Sequence, residues 1–209
     1  MARKTILITA GATKEPIDPV RFISNASSGK MGYALAGAAM EAGFEVVLIG
    51  GDSELPVPKG VEFVKAISAG QMFEAVKKYF SKCDCLIMAA AVSDYTPAKV
   101  SSVKIKKTAG PVSIELQPTE DILKWAGGQK GQGQYLVGFA LEDVDLKSRA
   151  EKKMSDKNLD MIVANSPDAI GADSSSVYIK QKQSDWVEIL DSDKPVTAKK
   201  IINLIADEF

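Results

Sequence analysis

The stretch RFISNASSGKMGYALAGAAM, which begins at Arg21, combines small, hydroxylated and basic residues in the way that phosphate-binding loops do. Glycines let a ligand approach the backbone closely, and serines supply hydroxyl donors. The apolar residues from 30 to 42 recur at helical spacing, so the glycines stand at a helix N-terminus, where free N–H groups and the positive dipole end attract anions. We therefore expect a phosphate site here, with Ser27 or Ser28 capping the helix and Gly43 ending it. The candidate contacts are Ser27, Ser28, Gly29 and Gly32.

Asn25 and two groups of lysines add chemistry to this site. An amide just ahead of the helix can orient a carboxylate or donate to an oxyanion, although loop asparagines often bond only their own backbone. The lysines are Lys104 in KIKK, on a polar segment, and Lys153 and Lys157, four residues apart on a predicted helix. Either group alone is typical of a solvated surface. Together, beside a phosphate site, they suit a polyanion such as a nucleoside triphosphate.

The chain of 209 residues contains no histidine and only two cysteines. These counts exclude Ser-His-Asp and Cys-His catalysis and a histidine-ligated zinc. Any metal must be held by oxygen, which indicates Mg²⁺ carried on phosphates, and we predict no dedicated protein site for it. The net charge of −1 gives no reason to expect nucleic acid, and no apolar run reaches the ~20 residues of a membrane span. We expect a cytoplasmic protein without a secretory leader.

Six apolar runs alternate with helical patterns along the chain. The runs that predict buried strands are KTILITAG, FEVVLIGG, VEFVKAI, DCLIMAAAV, YLVGFALE and DMIVANS. The last three are continuously apolar, which is typical of parallel strands covered on both faces. Amphipathic patterns predict helices at 30–42, 68–82 and 146–158. The alternation predicts an α/β fold built on a Rossmann-like, doubly wound and mostly parallel sheet.

Two segments interrupt this alternation. Residues 92–113 are polar and basic without helical period, which predicts a mobile loop with a functional role. Residues 174–191 predict a hairpin that adds a small antiparallel extension to the sheet. A C-terminal helix is expected at 197–209. We predict a single domain over residues 1–209.

In such a sheet, ligands bind beyond the carboxyl ends of the strands. The residues expected at those ends are Gly11, Ala90, Ala91, Asp94, Phe139 and Asn165. An NAD(P)-dependent oxidoreductase is one alternative, because Asp52 follows the second strand. Against it, the dinucleotide fingerprint needs its glycines directly between the first strand and the helix, whereas about nineteen positions separate Gly11 from Lys30. A non-catalytic nucleotide-binding module is a third alternative.

The motifs ITAGAT, DPVRFISNASSGKMG, AAAVSDY, KIKK, GFALE and KNLDMIVAN follow one another in an order that closely resembles the phosphopantothenate–cysteine ligases of coenzyme A biosynthesis. The resemblance covers about residues 5–165. In many bacteria this ligase is the C-terminal half of a bifunctional protein whose other half is the flavin-dependent phosphopantothenoylcysteine decarboxylase. The resemblance further implies a homodimer whose site is completed across the dimer interface.

The reaction that the resemblance implies joins 4′-phosphopantothenate to L-cysteine. The substrate carboxylate attacks the α-phosphate of CTP with Mg²⁺ present, pyrophosphate leaves, and an acyl-cytidylate remains. The amine of cysteine then attacks the acyl group, and CMP leaves. Joining the carboxylate to a nucleotide supplies a leaving group, and lysines with magnesium offset the repulsion between two anions.

The resemblance also implies roles position by position. Asn25 resembles the residue that holds the substrate carboxylate, with Arg21 as its neighbour, and Lys104 resembles a loop lysine that closes over the site. Asp94 is implied as a third catalytic residue, on the turn with Ala90 and Ala91 that meets the substrate. The implied nucleotide contacts are Gly11, Ser27, Ser28, Gly29, Gly32, Asp94, Lys104, Asp121, Ile122, Phe139, Lys153, Lys157 and Asn165.

One departure from the family pattern concerns the nucleotide. The segment that often reads NPDI is TEDI here, at 119–122, near the expected base pocket. Both CTP and ATP therefore stay open as the nucleotide, with CTP expected. The sequence also leaves open whether the domain acts alone or as half of a fusion.

Overall fold

The computed structural model describes residues 3–209. Its strands are β1 Thr5–Ala10, β2 Lys14–Pro16, β3 Phe22–Ser24, β4 Glu45–Gly50, β5 Glu62–Lys65, β6 Cys85–Met88, β7 Tyr95–Pro97, β8 Leu116–Pro118, β9 Tyr135–Leu141, β10 Met161–Asn165, β11 Ser174–Gln181 and β12 Val187–Asp193. Its α-helices are α1 Lys30–Glu41, α2 Ala69–Phe80, α3 Ile122–Gln129, α4 Leu146–Asp156 and α5 Lys194–Ala206, and a 3₁₀ turn spans Pro167–Ala169.

Eight strands form the main sheet, in the order β12-β11-β10-β9-β6-β1-β4-β5. The six from β10 to β5 are parallel to their neighbours, while β11 and β12 are antiparallel. Numbered by their place in the chain, the six parallel strands stand in the order 6-5-4-1-2-3, which is that of doubly wound dinucleotide-binding sheets. The predicted Rossmann-like α/β fold with an antiparallel extension is confirmed. Its topological switch point lies between β1 and β6.

Helices cover both faces of this sheet. Alternate residues of β1 point to opposite faces, so Ile6 and Ile8 are buried with residues of α1 and α5, while Leu7 is buried with residues of α2, α3 and α4. This double burial explains why the central strands β1, β6 and β10 are almost continuously apolar. No helix described between residues 3 and 209 combines the length and apolarity needed to cross a membrane.

Three elements were not expected from the sequence. Strands β2 and β3 form one small antiparallel pair, and β7 and β8 form another, which holds the ends of the loop 98–115 together. Helix α3 has the sequence ILKWAGGQ, whose paired glycines weaken a helical pattern. Gly127 is nevertheless required there, because a Cβ would lie 2.0 Å from the carbonyl oxygen of Lys157. The mobility of the 92–113 loop and the single-domain organisation stay predictions.

The C-terminal helix begins earlier than expected, at Lys194 instead of Thr197. Pro195 lies in its first turn, where its missing N–H costs nothing because the first helical N–H groups have no intrahelical partner. The early start places Lys194 at the carboxyl edge of the sheet.

Gly32, in the first turn of α1, allows the helix to pack directly on β1. A Cβ there would lie 2.4 Å from Ala10 Cβ and 2.9 Å from Ala10 Cα. We expect Gly32→Ala to lower the free energy of unfolding by roughly 1–3 kcal/mol, because overpacking forces the backbone apart. Urea denaturation would measure this loss.

Gly37 on the same helix provides the matched control. A Cβ there would meet only Pro58 Cγ, at 3.9 Å. We expect Gly37→Ala to raise the free energy of unfolding by roughly 0.5–1 kcal/mol, since alanine has the better helix propensity. Equal effects of the two substitutions would contradict the assigned packing.

Candidate functional site

A cleft of about 460 Å³ opens at the carboxyl edge of the sheet, at the switch point. Its wall is built from the N-terminus of α1, the segments after β6 and β8, and the ends of β9 and β10. It brings together most of the expected site residues: Asn25, Ser27, Ser28, Gly29, Gly32, Ala90, Ala91, Asp94, Asp121, Ile122, Phe139, Lys157 and Asn165. The expected residues outside its lining are Gly11, Arg21, Lys104 and Lys153.

The N-terminus of α1 opens into the cleft without a side-chain cap. Gly29 is the N-cap residue, with φ of +80°, and no side chain of residues 3–209 caps the helix. The expected serine cap is therefore wrong, and Ser27 Oγ only accepts a long 3.4 Å hydrogen bond from the Gly29 N–H. Lys30 and Met31 of the first turn line the cleft. Their uncapped N–H groups, with the helix dipole, favour a bound phosphate.

The glycine turn after β1 reaches this helix despite its distance in the chain. A Cβ on Gly29 would lie 3.1 Å from both Cα and N of Gly11, and Gly11 has φ of +84°. The β2–β3 pair forms an excursion from the sheet between these two glycines. Although β1 and α1 are far apart in the sequence, the fold places the glycine turn that follows β1 against the N-terminus of α1. Gly11 packs there against Gly29.

Asn25 joins the helix entrance to the turn after β6. Its Nδ2 donates to the carbonyl oxygen of Ala91 at 3.0 Å. That turn is itself tied to the end of β1, because the Ala91 N–H donates to Gly11 O at 2.8 Å and Thr13 N–H donates back to Ala91 O at 3.3 Å. The Oδ1 atom of Asn25 accepts no hydrogen bond from the part of the chain described. The hydrogen bond from Nδ2 to Ala91 O therefore orients the amide, while Oδ1 and the second N–H of Nδ2 are available to a ligand.

The opposite end of the cleft carries a lysine and a carboxylate. Lys157 Nζ lies 2.9 Å from Asp121 Oδ2, and Asp121 also accepts the Lys124 N–H at 2.9 Å as the N-cap of α3. Burial raises the pKa of Asp121, but the hydrogen bonds from Lys157 and Lys124 outweigh it, so the pKa is lowered overall. Asp121 therefore stays ionised and holds Lys157 at the cleft wall.

Lys153 stands behind the cleft instead of on its wall. Its Nζ donates to the carbonyl oxygen of Phe139 at 2.7 Å, where β9 ends. Burial lowers its pKa, and the charge of Lys157 lowers it further, against the smaller opposite effects of carboxylates that include Glu142. In this structure Lys153 supports Phe139, and its proposed contact with the nucleotide stays a prediction.

Arg21 contacts the loop 98–115, which carries Lys104. Asp18, whose side chain is buried, accepts hydrogen bonds from the backbone N–H groups of Val20 and Arg21 at 2.9 Å, and its Oδ2 accepts from Arg21 Nε at 3.0 Å. The same Oδ2 accepts the Ile105 N–H at 3.0 Å, and Arg21 Nη2 donates to Ile105 O at 2.6 Å. These contacts hold the residue next to Lys104. We call Asp18, Arg21 and Ile105 the loop latch.

A comparison with protein families shows which family this chain belongs to. The model for the DNA/pantothenate metabolism flavoprotein C-terminal domain matches residues 1–209. The chain belongs to that family. The resemblance found in the sequence motifs is thereby confirmed.

Two similar curated proteins are longer than the domain. The Coenzyme A biosynthesis bifunctional protein CoaBC of Bacillus subtilis (strain 168) is 51% identical over 170 residues, which cover 81% of this chain and 42% of that protein. A protein of an unknown prokaryotic organism named Cysteine/Cysteine sulfinic acid decarboxylase is 50% identical over 164 residues, covering 78% and 46%. The matched region thus covers less than half the length of each of these two curated relatives.

A solved structure matches nearly the whole domain. The crystal structure of the C-terminal domain of CoaBC superposes with a TM-score of 0.83 at 41% identity, covering 97% of this chain and 93% of that one. The likeness extends over the sheet, the helices and the antiparallel extension alike. The family fold therefore includes the segments beyond residue 165, where the motif resemblance ends.

Some residues of the family domain that shape the site were missed in the sequence. Asp18 stands in DPVR, where an Asp before Pro indicates a turn and gives no sign of a contact 87 positions away. Thr119 lines the cleft, and its hydroxyl donates to Ser93 O at 2.6 Å. Lys194 and Ser175 also line the cleft, from elements that no motif marked. Only the topology brings these residues to the edge.

Proposed function

We propose that this domain joins 4′-phosphopantothenate to L-cysteine in coenzyme A biosynthesis, with a nucleoside triphosphate as the activating co-substrate. The observation that carries the proposal is the position of the Asn25 amide, on the same cleft wall as the uncapped N-terminus of α1. A site that binds a carboxylate beside a phosphate suits carboxylate activation by a nucleotide. Membership of a family with CoaBC relatives supports this choice.

In the first step, a carboxylate oxygen of phosphopantothenate forms a bond to the α-phosphorus of the nucleotide, and pyrophosphate leaves with the electrons of the broken P–O bond. Asn25 holds the carboxylate through its second amide N–H. The first turn of α1 holds the phosphates, and Lys104 approaches them from its loop. Charge that develops on the phosphates is stabilised by these donors.

In the second step, the amine of cysteine attacks the acyl carbon of the acyl-nucleotide, a C–N bond forms, and the nucleoside monophosphate leaves. The chain contains no histidine. A phosphate oxygen or water accepts the amine proton in our proposal. Asp94 stands on the cleft wall, and its carboxylate makes no hydrogen bond or ion pair within residues 3–209, so it is available to substrate or nucleotide.

We propose CTP as the nucleotide and Mg²⁺ as its counter-ion. Within the described residues, no group of three or more His, Cys, Asp and Glu side chains could hold a metal ion. Phosphate oxygens would therefore supply most ligands, and Asp94 could add a carboxylate oxygen, which suits the oxygen preference of Mg²⁺. When bound, the ion neutralises phosphate charge; the protein side chains position the reacting groups.

The order of the parallel strands favours one alternative, an NAD(P)-dependent oxidoreductase. The residue that would bind a ribose in that class is Asp52, after β4. Its carboxylate pairs with Lys65 at 2.7 Å and lies 3.9 Å from Lys14. Asp52 does not line the cleft of Asp94 and Asn165; it lines a neighbouring pocket with Gly11 and Ser27. Its pairing with lysines leaves it less free for a ribose, which weakens this alternative.

Pyrophosphate release is the experiment that tests the proposed function. The protein would be incubated with Mg²⁺ and 4′-phosphopantothenate, with CTP or ATP in parallel, with and without cysteine. We expect release that requires phosphopantothenate, and an amide product only when cysteine is present. Release from neither nucleotide, or oxidation of NAD(P)H by the chain with a small carbonyl substrate, would argue against the ligase.

We further propose that the domain acts as a homodimer and is fused to, or associates with, phosphopantothenoylcysteine decarboxylase. Two small sheets, β2–β3 and β7–β8, stand outside the main sheet and contact each other. These two sheets and their connecting segments 17–21 and 98–115 carry eight large exposed apolar side chains: Val20, Phe22, Tyr95, Val100, Val103, Val112, Ile114 and Leu116. Such an apolar surface beside a site is typical of an interface.

We expect sedimentation at micromolar concentration to give a dimer, and Leu116→Glu to shift it to a monomer, because a buried charge at an apolar interface is unfavourable. Leu116 is 43% exposed in the single chain. Leu190→Glu is the matched control, since Leu190 is 63% exposed but lies on β12, at the edge of the main sheet. A wild-type monomer would count against a shared site.

A further inference from the structure

Lys194 is a buried lysine on the cleft wall that no step above uses. It is the first residue of α5, is 8% exposed, and lines the cleft. Its Nζ donates to the carbonyl oxygen of Ala169 at 3.4 Å and to that of Ala172, and no carboxylate of residues 3–209 forms an ion pair with it. The nearby carboxylate of Asp173 is already paired with Lys30. A buried ammonium without an ion-pair partner of its own is costly, so its position favours an anion that arrives from the cleft.

Ser175 adds a second group of the same kind. It is the second residue of β11 and lines the same cleft. Its Oγ is enclosed and has no hydrogen-bond partner within the described chain. Buried hydroxyls are nearly always hydrogen-bonded in folded proteins, so an unpaired one on a cleft wall indicates a partner supplied by a ligand.

The topology brings the positive ends of helix dipoles to this corner of the cleft, where the N-cap residue Asp193 also lies. Strand β12 runs parallel to β10, so α5, which follows β12 directly, begins at the same sheet edge as α1, and the two helices pack against each other. Two helix N-termini therefore meet at the cleft. Asp173 links them, because its carboxylate pairs with Lys30 at 2.5 Å and its carbonyl oxygen accepts the Lys194 N–H at 3.1 Å.

We propose that Lys194 and Ser175 form a subsite for a phosphate group of a substrate, beside the helix entrance of α1. A phosphate carries enough oxygens to pair with the ammonium, the hydroxyl and the N–H groups of α1 together. The inference rests on the proposed function, which offers two sources of that group. They are the terminal phosphates of the nucleoside triphosphate and the 4′-phosphate of phosphopantothenate.

The test compares direct binding to three variants and the wild type by calorimetry in Mg²⁺. Lys194→Met removes the charge but keeps a buried unbranched side chain, and Ser175→Ala removes only the unpaired hydroxyl. Lys200→Met is the matched control, because Lys200 is exposed on the same helix and outside the cleft lining. The probes are CTP against CMP, and 4′-phosphopantothenate against pantothenate.

We expect Lys194→Met to weaken binding of one phosphorylated probe by about 10- to 100-fold, and Ser175→Ala by about 3- to 10-fold, with no change for Lys200→Met. Loss for CTP but not CMP would place the terminal phosphates here. Loss for 4′-phosphopantothenate but not pantothenate would place the 4′-phosphate here. Unchanged affinity for all probes in both cleft variants, or wild-type protein that binds no phosphorylated probe, would overturn the subsite.

Thermal unfolding of the free protein separates a binding role from a structural one. Ser175→Ala removes a buried hydroxyl that has no partner, so the melting temperature should stay equal or rise while affinity falls. If Lys194→Met does not fold, Ser175→Ala alone tests whether the subsite binds a phosphate group. The wild type could bind CTP more tightly than Lys194→Met does and yet form no amide product. That result would refute the ligase function and still support the subsite.

Discussion

Asn25→Ala should lower the rate of amide formation by about 10²- to 10³-fold, the range found when a single oxyanion donor is removed from an active site. Asn25 is exposed, and the one hydrogen bond of its side chain within residues 3–209 is that to Ala91 O, at 3.0 Å. That oxygen also accepts the Thr13 N–H at 3.3 Å, so it keeps a partner in the variant. The fold should therefore survive, and the loss should fall on the chemistry.

Two measurements separate the steps in which Asn25 acts. Pyrophosphate release without cysteine reports carboxylate activation, and product formation with cysteine reports transfer of the acyl group. Asn25→Asp should be at least as inactive as Asn25→Ala, because a second carboxylate would repel the substrate carboxylate. Asn203→Ala, on the exposed face of α5, is the control. Near-normal turnover of Asn25→Ala would remove the assigned role.

Asp18→Asn should lower kcat/KM by roughly 10- to 100-fold, because a loop displaced by about an ångström misplaces its catalytic group. The substitution removes the negative charge that pairs with Arg21. It also replaces one carboxylate oxygen by an NH₂ group, which cannot accept the hydrogen bonds that Arg21 Nε and the Ile105 N–H donate to Oδ2. The latch then loses its hold on Ile105, the neighbour of Lys104. Steady-state kinetics would measure the loss, and circular dichroism would check that the sheet persists.

Double substitution tests whether the latch acts through Lys104. Lys104→Gln alone should depress activation with little effect on folding, because Lys104 is exposed. If Asp18 only positions Lys104, the pair Asp18→Asn with Lys104→Gln should be no slower than Lys104→Gln alone. Additive losses would mean that Asp18 acts elsewhere. Asp156→Asn, in an exposed ion pair with Lys152, is the control and should have little effect.

The latch should also resist acid. The hydrogen bond from Arg21 lowers the pKa of Asp18, burial raises it by less, and the backbone N–H groups of Ile105, Val20 and Arg21 lower it further. A carboxylate with a lowered folded-state pKa contributes stability above its unfolded pKa of about 3.9 and loses it as pH falls through the folded value. The latch therefore stays ionised at pH 4 and above.

The sheet and its helices could be predicted because their signals are local. Five of the six parallel strands have an almost continuous apolar run, the exception being the edge strand β5, and the helices at α1, α2 and α4 have the expected periodicity. Short strands such as β2 and β7 could not be predicted, since three residues carry no period. Helix α3 was hidden by Gly127 and Gly128, of which Gly127 is needed for packing against Lys157 O.

By itself, the sequence determined the fold class, the position of the helix entrance at which we propose phosphate binding and, through its motifs, the family. The tertiary structure alone decided which distant groups meet. It placed Asn25 against Ala91, Gly11 behind Gly29, and Lys194 on the cleft wall. Periodicity reports whether a residue is buried, whereas these contacts depend on the paths of the connections between strands and on the strand order. The connection paths and the strand order cannot be deduced from local residue patterns.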